Sequence, residues 1–128
     1  SYGGCAIIID YGDDNLIGNT FQAVKNHKKI DALKLPGDSD LTAHVDFKEL
    51  TRDISEIMVT KTTSQGTLLE RLGINDRSKK LILNIPDHQK NIHTTAMRRL
   101  THPSEMGSLF KAIALYPSKS FPPAGFDL

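Results

Sequence analysis

The first hydrophobic stretch of the chain is continuous rather than alternating. Residues 5–9 read Cys-Ala-Ile-Ile-Ile and are followed directly by Asp10. A short, β-branched apolar run of this kind predicts a strand buried on both faces, which is typical of the centre of a parallel sheet. Cys5 would then be an inert, buried thiol. A turn cluster from Asp10 to Asn15 ends the strand.

Two later stretches also predict sheet strands. Ile57 to Thr63 is short and β-branched, and Leu109 to Tyr116 is mostly apolar. Phe21 to Lys25 fits either a short strand or one helical turn, and the sequence does not decide between them. Three sheet strands are few for the number of helices predicted below. The elements therefore indicate the end of a larger fold.

Helical spacing appears first in the middle of the chain. Phe47, Leu50 and Ile54 are spaced to share one face of a helix. Ser64 is placed as the N-cap of a second helix with three leucines on one face. Gly73 follows that helix in the position where a left-handed residue commonly ends one.

Two further helices are predicted before the last strand. One covers residues 76–83. The other opens at Pro86, carries an apolar stripe and stops at Pro103. Because strands and helices alternate along the chain, the predicted fold class is α/β.

Composition narrows the classes of partner. A formal net charge of +1 argues against a dominant electrostatic attraction to nucleic acid or to an anionic membrane. The single cysteine excludes an internal disulfide framework and a multi-cysteine zinc site. The longest apolar run is far shorter than the roughly 20 residues that a membrane-spanning helix needs. We therefore expect neither nucleic-acid binding nor membrane insertion.

The polar end of the first strand is one candidate for chemistry. Ligands of open α/β sheets bind beyond the carboxyl ends of strands, where Asp10, Tyr11 and Gly12 would lie. A structural reading is also open: Asp10 would cap a turn and Gly12 would supply an unusual φ. No glycine-rich strand-to-helix loop is visible, because Gly3 and Gly4 precede their strand. No cofactor-binding residue is therefore predicted.

The segment Asp40–Asp46 alternates strictly between polar and apolar residues. If the segment is extended, Asp40, Thr42, His44 and Asp46 line one face, as in a metal half-site or an acid–base cluster. Alternatively, Asp46 is the N-cap of the next helix and His44 is a hydrogen-bonded structural residue. Because no second group of ligands stands out, no metal site is predicted. The other histidines, interpreted as surface residues, are His27, His88, His93 and His102.

Four blocks along the chain together resemble a known family. They are Gly3–Gly12; Pro36-Gly37 with Asp40–Phe47; Ser64-Gln65-Gly66 with Leu69, Leu72-Gly73-Ile74 and Arg77; and Arg99-Leu100-Thr101 with Met106-Gly107 and Leu109-Phe110-Lys111. In this order they resemble the MidA-like methyltransferases, which include a mitochondrial arginine methyltransferase of respiratory complex I assembly. One departure is Ser64, where the family commonly has Thr.

The resemblance implies a class I, Rossmann-like methyltransferase fold with a seven-stranded, mostly parallel sheet. Residues 5–10 would be its fifth strand, and residues 57–63 and 109–116 its last two, with helices inserted. The family's cofactor loop precedes this segment. Residues 1–128 would thus be the C-terminal part of a single domain whose cofactor-binding half is absent. We expect this chain alone to be inactive, not to bind the cofactor and to be poorly stable.

The implied reaction is methyl transfer from S-adenosylmethionine to an arginine of a protein, by resemblance a complex I subunit, in mitochondria. Asp10 and Tyr11 would lie on the substrate side, with His44 and Asp46 as further catalytic candidates. Carboxylates would hold the guanidinium through paired hydrogen bonds. Two alternatives remain: a non-catalytic truncated product or protein-binding assembly module, and a metal-dependent hydrolase using Asp40, His44 and Asp46.

Overall fold

Strands of the chain form a larger and a smaller sheet in the computed structural model, which describes residues 3–26 and 28–126. The larger sheet contains β1 (Ala6–Asp13), β5 (Val45–Asp46), β6 (Met58–Val59), β7 (Thr63–Ser64) and β8 (Phe110–Tyr116). The smaller sheet contains β2 (Gln22–Lys25), β3 (Lys28–Ile30) and β4 (Asp40–Thr42). The helices are α1 (Phe47–Thr51), α2 (Gln65–Arg71), α3 (Ile74–Ile82), α4 (Asp87–Thr101) and α5 (Met106–Leu109).

The strand β8 lies in the interior of the larger sheet. One of its edges pairs antiparallel with β1, from Ala6 opposite Leu115 to Tyr11 opposite Phe110. Its other edge pairs with β6 and β7, so the predicted strand 57–63 is split into two short ones. The three central residues of β8 are at most 1% exposed. This strand is therefore the structural centre of the chain.

The first strand is present, but the prediction that both its faces are buried is wrong for this chain. Ile7 and Ile9 are 52% and 46% exposed, and Cys5 is exposed rather than a buried thiol. Within residues 3–26 and 28–126, the edge opposite β8 pairs only at Gly12 and Asp13, with β5. Along residues 6–11 no strand of the described part of the chain covers that edge. The apolar sequence of β1 is typical of a strand that is buried on both faces, and the described part of the chain does not bury it.

The start and end of α2 lie where local signals placed them. The Ser64 hydroxyl accepts the backbone N–H of Thr67 at 3.2 Å, which makes Ser64 the N-cap of α2. Gly73 follows that helix with φ of 80°, in the left-handed region. Residue Leu68 of α2 packs into a core cluster with Ala112, Ala114 and Phe126. The helix α1 is shorter than predicted, since it ends at Thr51.

Two buried glycines fix the turn between α4 and α5. A Cβ at Gly107 would lie 2.8 Å from the carbonyl oxygen of His102, and a Cβ at Gly66 would lie 3.3 Å from the Cα of Gly107. The Gly107 N–H donates to the His102 carbonyl oxygen at 3.1 Å. Only glycine allows α2 to lie this close to the turn. The turn is thereby held beside the carboxyl end of β1.

The smaller sheet was predicted only in part. Residues 22–25 form a strand, which decides between the two readings of that segment. The strand β4 falls within the alternating segment Asp40–Asp46, whereas β3 had no clear signal. Among the helices that the structure describes, none combines the length and apolar character that a membrane crossing requires.

Candidate functional site

Aromatic rings from different parts of the chain meet at the carboxyl end of β1. The ring of Tyr11 packs against that of Phe110, with centroids 4.0 Å apart and planes tilted by 37°. The imidazole of His44 lies nearly parallel to the Tyr11 ring, at 6.4 Å and 15°. The fold thus brings together two of the four predicted site residues.

His44 lies in the connection between β4 and β5. Its backbone N–H donates to the hydroxyl of Thr20 at 3.0 Å, which holds this part of the connection. Its side chain lines two open clefts, one of about 530 Å³ towards the α4–α5 turn and one of about 620 Å³ towards the smaller sheet. His44 therefore stands between the two clefts.

The two predicted aspartates are engaged with backbone groups. An Asp10 carboxylate oxygen accepts the N–H of Tyr11 at 2.7 Å. An Asp46 carboxylate oxygen accepts the N–H of Glu49 at 2.9 Å and caps α1, which confirms the N-cap reading. Neither residue lines the two clefts beside His44.

Gly12 has a role other than the one the sequence suggested. Its φ is not positive, so the expectation of an unusual φ is wrong. Instead, a Cβ at this position would overlap the Val45 carbonyl oxygen and lie 2.9 Å from Cε2 of Phe47. Gly12 is therefore required for the close approach of β5 and α1 to β1.

The alternating segment Asp40–Asp46 does not form one continuous face. Asp40 and Thr42 lie in β4 of the smaller sheet, whereas Asp46 lies in β5 of the larger sheet. The chain leaves regular pairing at Ala43 and His44, because each half pairs with a different sheet. Within residues 3–26 and 28–126, no group of three or more His, Cys, Asp or Glu side chains is placed to hold a metal ion.

The cleft towards the α4–α5 turn contains two carboxylates that sequence reasoning missed. Asp13 lies at the end of β1, with an oxygen 3.6 Å from Nζ of Lys111. Glu105 lies in the turn, with an oxygen 3.1 Å from Nε of Arg98. Their sequence neighbourhoods show no shared spacing, so only the fold brings them to one cleft. We call this the carboxylate cleft; its wall also includes Gly12, His44, Ser104 and Ser108.

His93 corrects the interpretation of the remaining histidines as surface residues. Its Nε2 lies 2.8 Å from the hydroxyl of Ser78 and the contact is partly buried. His88 and His102 are exposed, as expected. His27 lies outside the described residues.

Comparisons with known proteins give the site a context. Residues 2–66 match a family described as S-adenosyl-L-methionine-dependent methyltransferases. The chain is 36% identical over 135 residues to the Drosophila melanogaster protein named "Protein arginine methyltransferase NDUFAF7 homolog, mitochondrial", covering 98% of this chain and 31% of the relative. It is 36% identical over 118 residues to the Homo sapiens protein arginine methyltransferase NDUFAF7, covering 90% and 26%.

Solved structures show the same similarity. A COG1565 superfamily protein from Burkholderia thailandensis, crystallised with S-adenosyl-homocysteine, superposes with a TM-score of 0.69 at 28% identity. It is matched over 98% of this chain and 33% of its own length. A native COG1565 structure from the same organism gives a TM-score of 0.71, also at 28% identity, over 98% and 34% of the two chains. The chain thus spans about a third of the proteins it resembles.

Proposed function

Since the chain belongs to the family of S-adenosyl-L-methionine-dependent methyltransferases, we propose that it is the C-terminal, substrate-side part of a protein-arginine methyltransferase. The family resemblance of its four sequence blocks is thereby confirmed. The α/β class is confirmed as well, since the similar structures belong to the COG1565 superfamily. The reaction, substrate and compartment proposed below are supported by the relatives' names and by the carboxylate cleft.

The observation that carries the proposal is the carboxylate cleft beside the aromatic rings. A guanidinium is planar, permanently charged and carries five N–H donors that match carboxylate oxygens. Asp13 and Glu105 offer such oxygens, and the flat imidazole of His44 on the same wall is suited to stacking against a guanidinium. The curated relatives from fly and human are named protein arginine methyltransferases. We therefore assign the substrate arginine to this cleft.

The chain's own residues would act by positioning. S-adenosylmethionine supplies the methyl group on a sulfonium. Carboxylates that hold two guanidinium N–H groups fix the direction of the third nitrogen, and orientation is a large part of such a barrier. As the N–CH₃ bond forms and the S–CH₃ bond breaks, the attacking nitrogen loses one proton. His44, on the wall of the cleft, is the candidate acceptor for that proton.

The described residues do not form a binding site for the cofactor itself. No glycine-rich strand-to-helix turn occurs in residues 3–26 and 28–126. We propose that the adenosyl and methionine groups are held by a preceding half of the same domain. The open edge of β1 and the exposed Ile7 and Ile9 are where that half would pair and pack.

Hydrogen exchange tests this division of the domain. In the chain alone, half of the amides of residues 6–11 should exchange quickly, because they point to an open edge. In the full-length protein the same amides should be protected. Equal exchange in both forms would show that nothing pairs with this edge, while leaving the substrate proposal to be tested separately.

The compartment and the partner follow from the relatives. Their names carry the designation mitochondrial, so we propose that the full-length protein acts in mitochondria on a protein substrate. By the family resemblance that substrate is a complex I subunit. Fractionation of cells that express the tagged full-length protein, followed by mass spectrometry of arginine methylation on complex I subunits, tests both statements.

A non-catalytic, protein-binding role is the second candidate. It is favoured by the absence of a cofactor turn from the described residues and by an apolar helical groove described below. Calorimetry of the full-length protein with S-adenosylmethionine separates the two functions. Lack of binding together with lack of methylation would favour the binding module.

The test of the carboxylate cleft as the binding site for the substrate arginine uses the full-length protein and a methylation assay. Glu105→Gln removes the carboxylate charge and the ion pair with Arg98, whereas Arg98→Gln breaks the ion pair but keeps the Glu105 carboxylate. We expect Glu105→Gln to raise KM for an arginine peptide roughly tenfold, in keeping with one lost charge-assisted pair. Arg98→Gln should change this KM much less, and the two variants should have similar stability.

The outcomes of this pair of variants are distinct. An equal effect of both variants on KM would mean that Glu105 only braces the turn. Methylation of lysine peptides but not arginine peptides by the unmodified protein would overturn the arginine assignment. Absence of any methyl transfer would overturn the enzymatic function.

A further inference from the structure

An apolar groove lies between helices on the side of the chain that the methyltransferase proposal does not use. It has a volume of about 430 Å³ and is formed where α2 packs against both α3 and α4. Its floor is made almost entirely of hydrocarbon side chains. The apolar residues that line it most openly are Leu69, Leu72, Leu81, Ala96, Met97 and Leu100. We call it the helical groove.

The polar groups of the helical groove leave one charge uncompensated. Ser78 and His93 satisfy each other through their contact at 2.8 Å. Arg77 also lines the groove, and no carboxylate of the described residues lies within 4 Å of its guanidinium. Lys79 pairs with Asp76 at 3.7 Å and Lys90 with Asp87 at 2.6 Å, and no Lys or Arg of α3 and α4 other than Arg77 lines the groove. Arg77 is therefore available to an acidic group that enters the groove.

The surroundings of the groove are strongly basic. The segment 74–101, which contains α3 and α4, has six Lys and Arg residues against two Asp and Glu residues, a net charge of +4. The whole chain has a net charge of +1. The positive charge is thus concentrated on the two helices that flank the groove, and the rest of the chain is net acidic. An approaching ligand with negative charge would be attracted to this side.

The openness of the groove selects the kind of ligand. Leu72, Leu81 and Leu100 are 53%, 40% and 39% exposed. A small-molecule site usually buries most of its ligand, which a groove this open does not do. A lipid surface needs a flat or convex apolar face, whereas this one is concave between two helices. A helix with one apolar stripe fits such a groove and covers its leucines.

We propose that the helical groove binds an amphipathic helix of a partner protein that carries acidic residues beside its apolar stripe. The apolar stripe covers Leu72, Leu81 and Leu100, and one carboxylate pairs with Arg77. The interaction lies on other elements than the carboxylate cleft and does not depend on the methyl transfer proposed above.

A designed peptide tests the groove in the full-length protein. The probe is a labelled amphipathic helix of about 16 residues, long enough to be helical, with leucines on one stripe and glutamates on one flank. A second probe has lysines in place of the glutamates. Binding is measured by fluorescence anisotropy at fixed ionic strength. We expect the acidic probe to bind and the basic probe to bind at least tenfold more weakly.

Two variants and one control locate the binding site. Arg77→Glu should weaken binding of the acidic probe roughly tenfold and should improve binding of the basic probe, because the charge pair is reversed. Leu81→Asp should weaken both probes, since it places a charge in the apolar stripe. Lys79→Glu makes the same change of charge on the same helix, but Lys79 does not line the groove. We expect less than a threefold effect from it.

Several results would overturn the proposal. Equal losses in Arg77→Glu and Lys79→Glu would mean general attraction to a basic surface. If the basic probe does not bind Arg77→Glu more tightly than the unmodified protein, and circular dichroism shows an intact fold, Arg77 does not form the proposed ion pair. Concentration-dependent dimers that Leu81→Asp abolishes would assign the groove to a second copy. Arg77-dependent binding to phosphatidylserine vesicles, without peptide binding, would assign it to a membrane.

Discussion

Gly12 of β1 lies directly against the carbonyl oxygen of Val45, so closely that any side chain at position 12 would overlap it. This contact is where the parallel pairing of β5 with β1 begins. It also places α1 next to the strand, because Cε2 of Phe47 would lie 2.9 Å from a Cβ added at the same glycine. The approach of these elements holds the connection that contains His44 beside Tyr11.

Gly12→Ala should therefore destabilise the protein. The added methyl group has no space and the nearest atoms are backbone, so we expect a loss of about 3 kcal/mol in the free energy of unfolding. Urea denaturation measures it. Gly4→Ala is the matched control, since a Cβ there meets nothing within 4 Å. If both variants unfold at the same urea concentration, the close approach to Val45 is not what the glycine provides.

Asp46 is predicted to act through the helix that it caps. Asp46→Ala should lower the free energy of unfolding by about 1 kcal/mol, because the Glu49 N–H loses its acceptor. Asp46→Asn keeps an oxygen that can cap the helix and should retain both stability and methylation. A folded Asp46→Asn protein without methylation activity would instead make the carboxylate charge part of the chemistry.

Tyr11 is predicted to contribute through its ring. Tyr11→Phe keeps the contact with Phe110 and the stack with His44, so methylation by the full-length protein should change by less than about threefold. Tyr11→Ala removes both contacts and should lower kcat/KM by about tenfold or more. Peptide methylation kinetics measure both. Equal loss in the two variants would show that the hydroxyl, and not the ring, is needed.

Gly107→Ala should displace the turn that carries Glu105. A Cβ at this position would overlap the Thr101 carbonyl group and approach the His102 carbonyl oxygen to 2.8 Å. We expect both a lower urea midpoint and a higher KM for arginine peptides, because the turn forms one wall of the carboxylate cleft. Loss of stability with an unchanged KM would separate the glycine from the substrate site.

Elements with local signals were predictable from the sequence. The cap at Ser64, the left-handed Gly73 and the stop before Pro103 each act within one turn of a helix, so neighbouring residues suffice to place them. The N-cap role of Asp46 was one of two readings that the sequence left open, and it too depends only on neighbouring residues.

Elements that depend on distant partners were predicted less well. The strands β3 and β4 are three residues long and contain Lys28, Lys29 and Asp40, so their pairing with β2, not their composition, makes them strands. The apolar run before Asp10 indicated burial on both faces, which requires neighbours beyond β8. The placement of Asp13 and Glu105 on the wall of one cleft depends on the α4–α5 turn, which residue spacing cannot show.

Because β8 is the central strand and comes last among the described strands, the larger sheet is completed late in synthesis. The strand β8 begins more than 100 residues after the start of β1, yet each pairs along most of its length with the other. Loops of this length close slowly, and strands that wait for them are exposed to aggregation. While the ribosome is still making the helices, the edge of β1 that later pairs with β8 has no partner. We therefore expect the nascent chain to depend on chaperones until Phe110–Tyr116 has been synthesised.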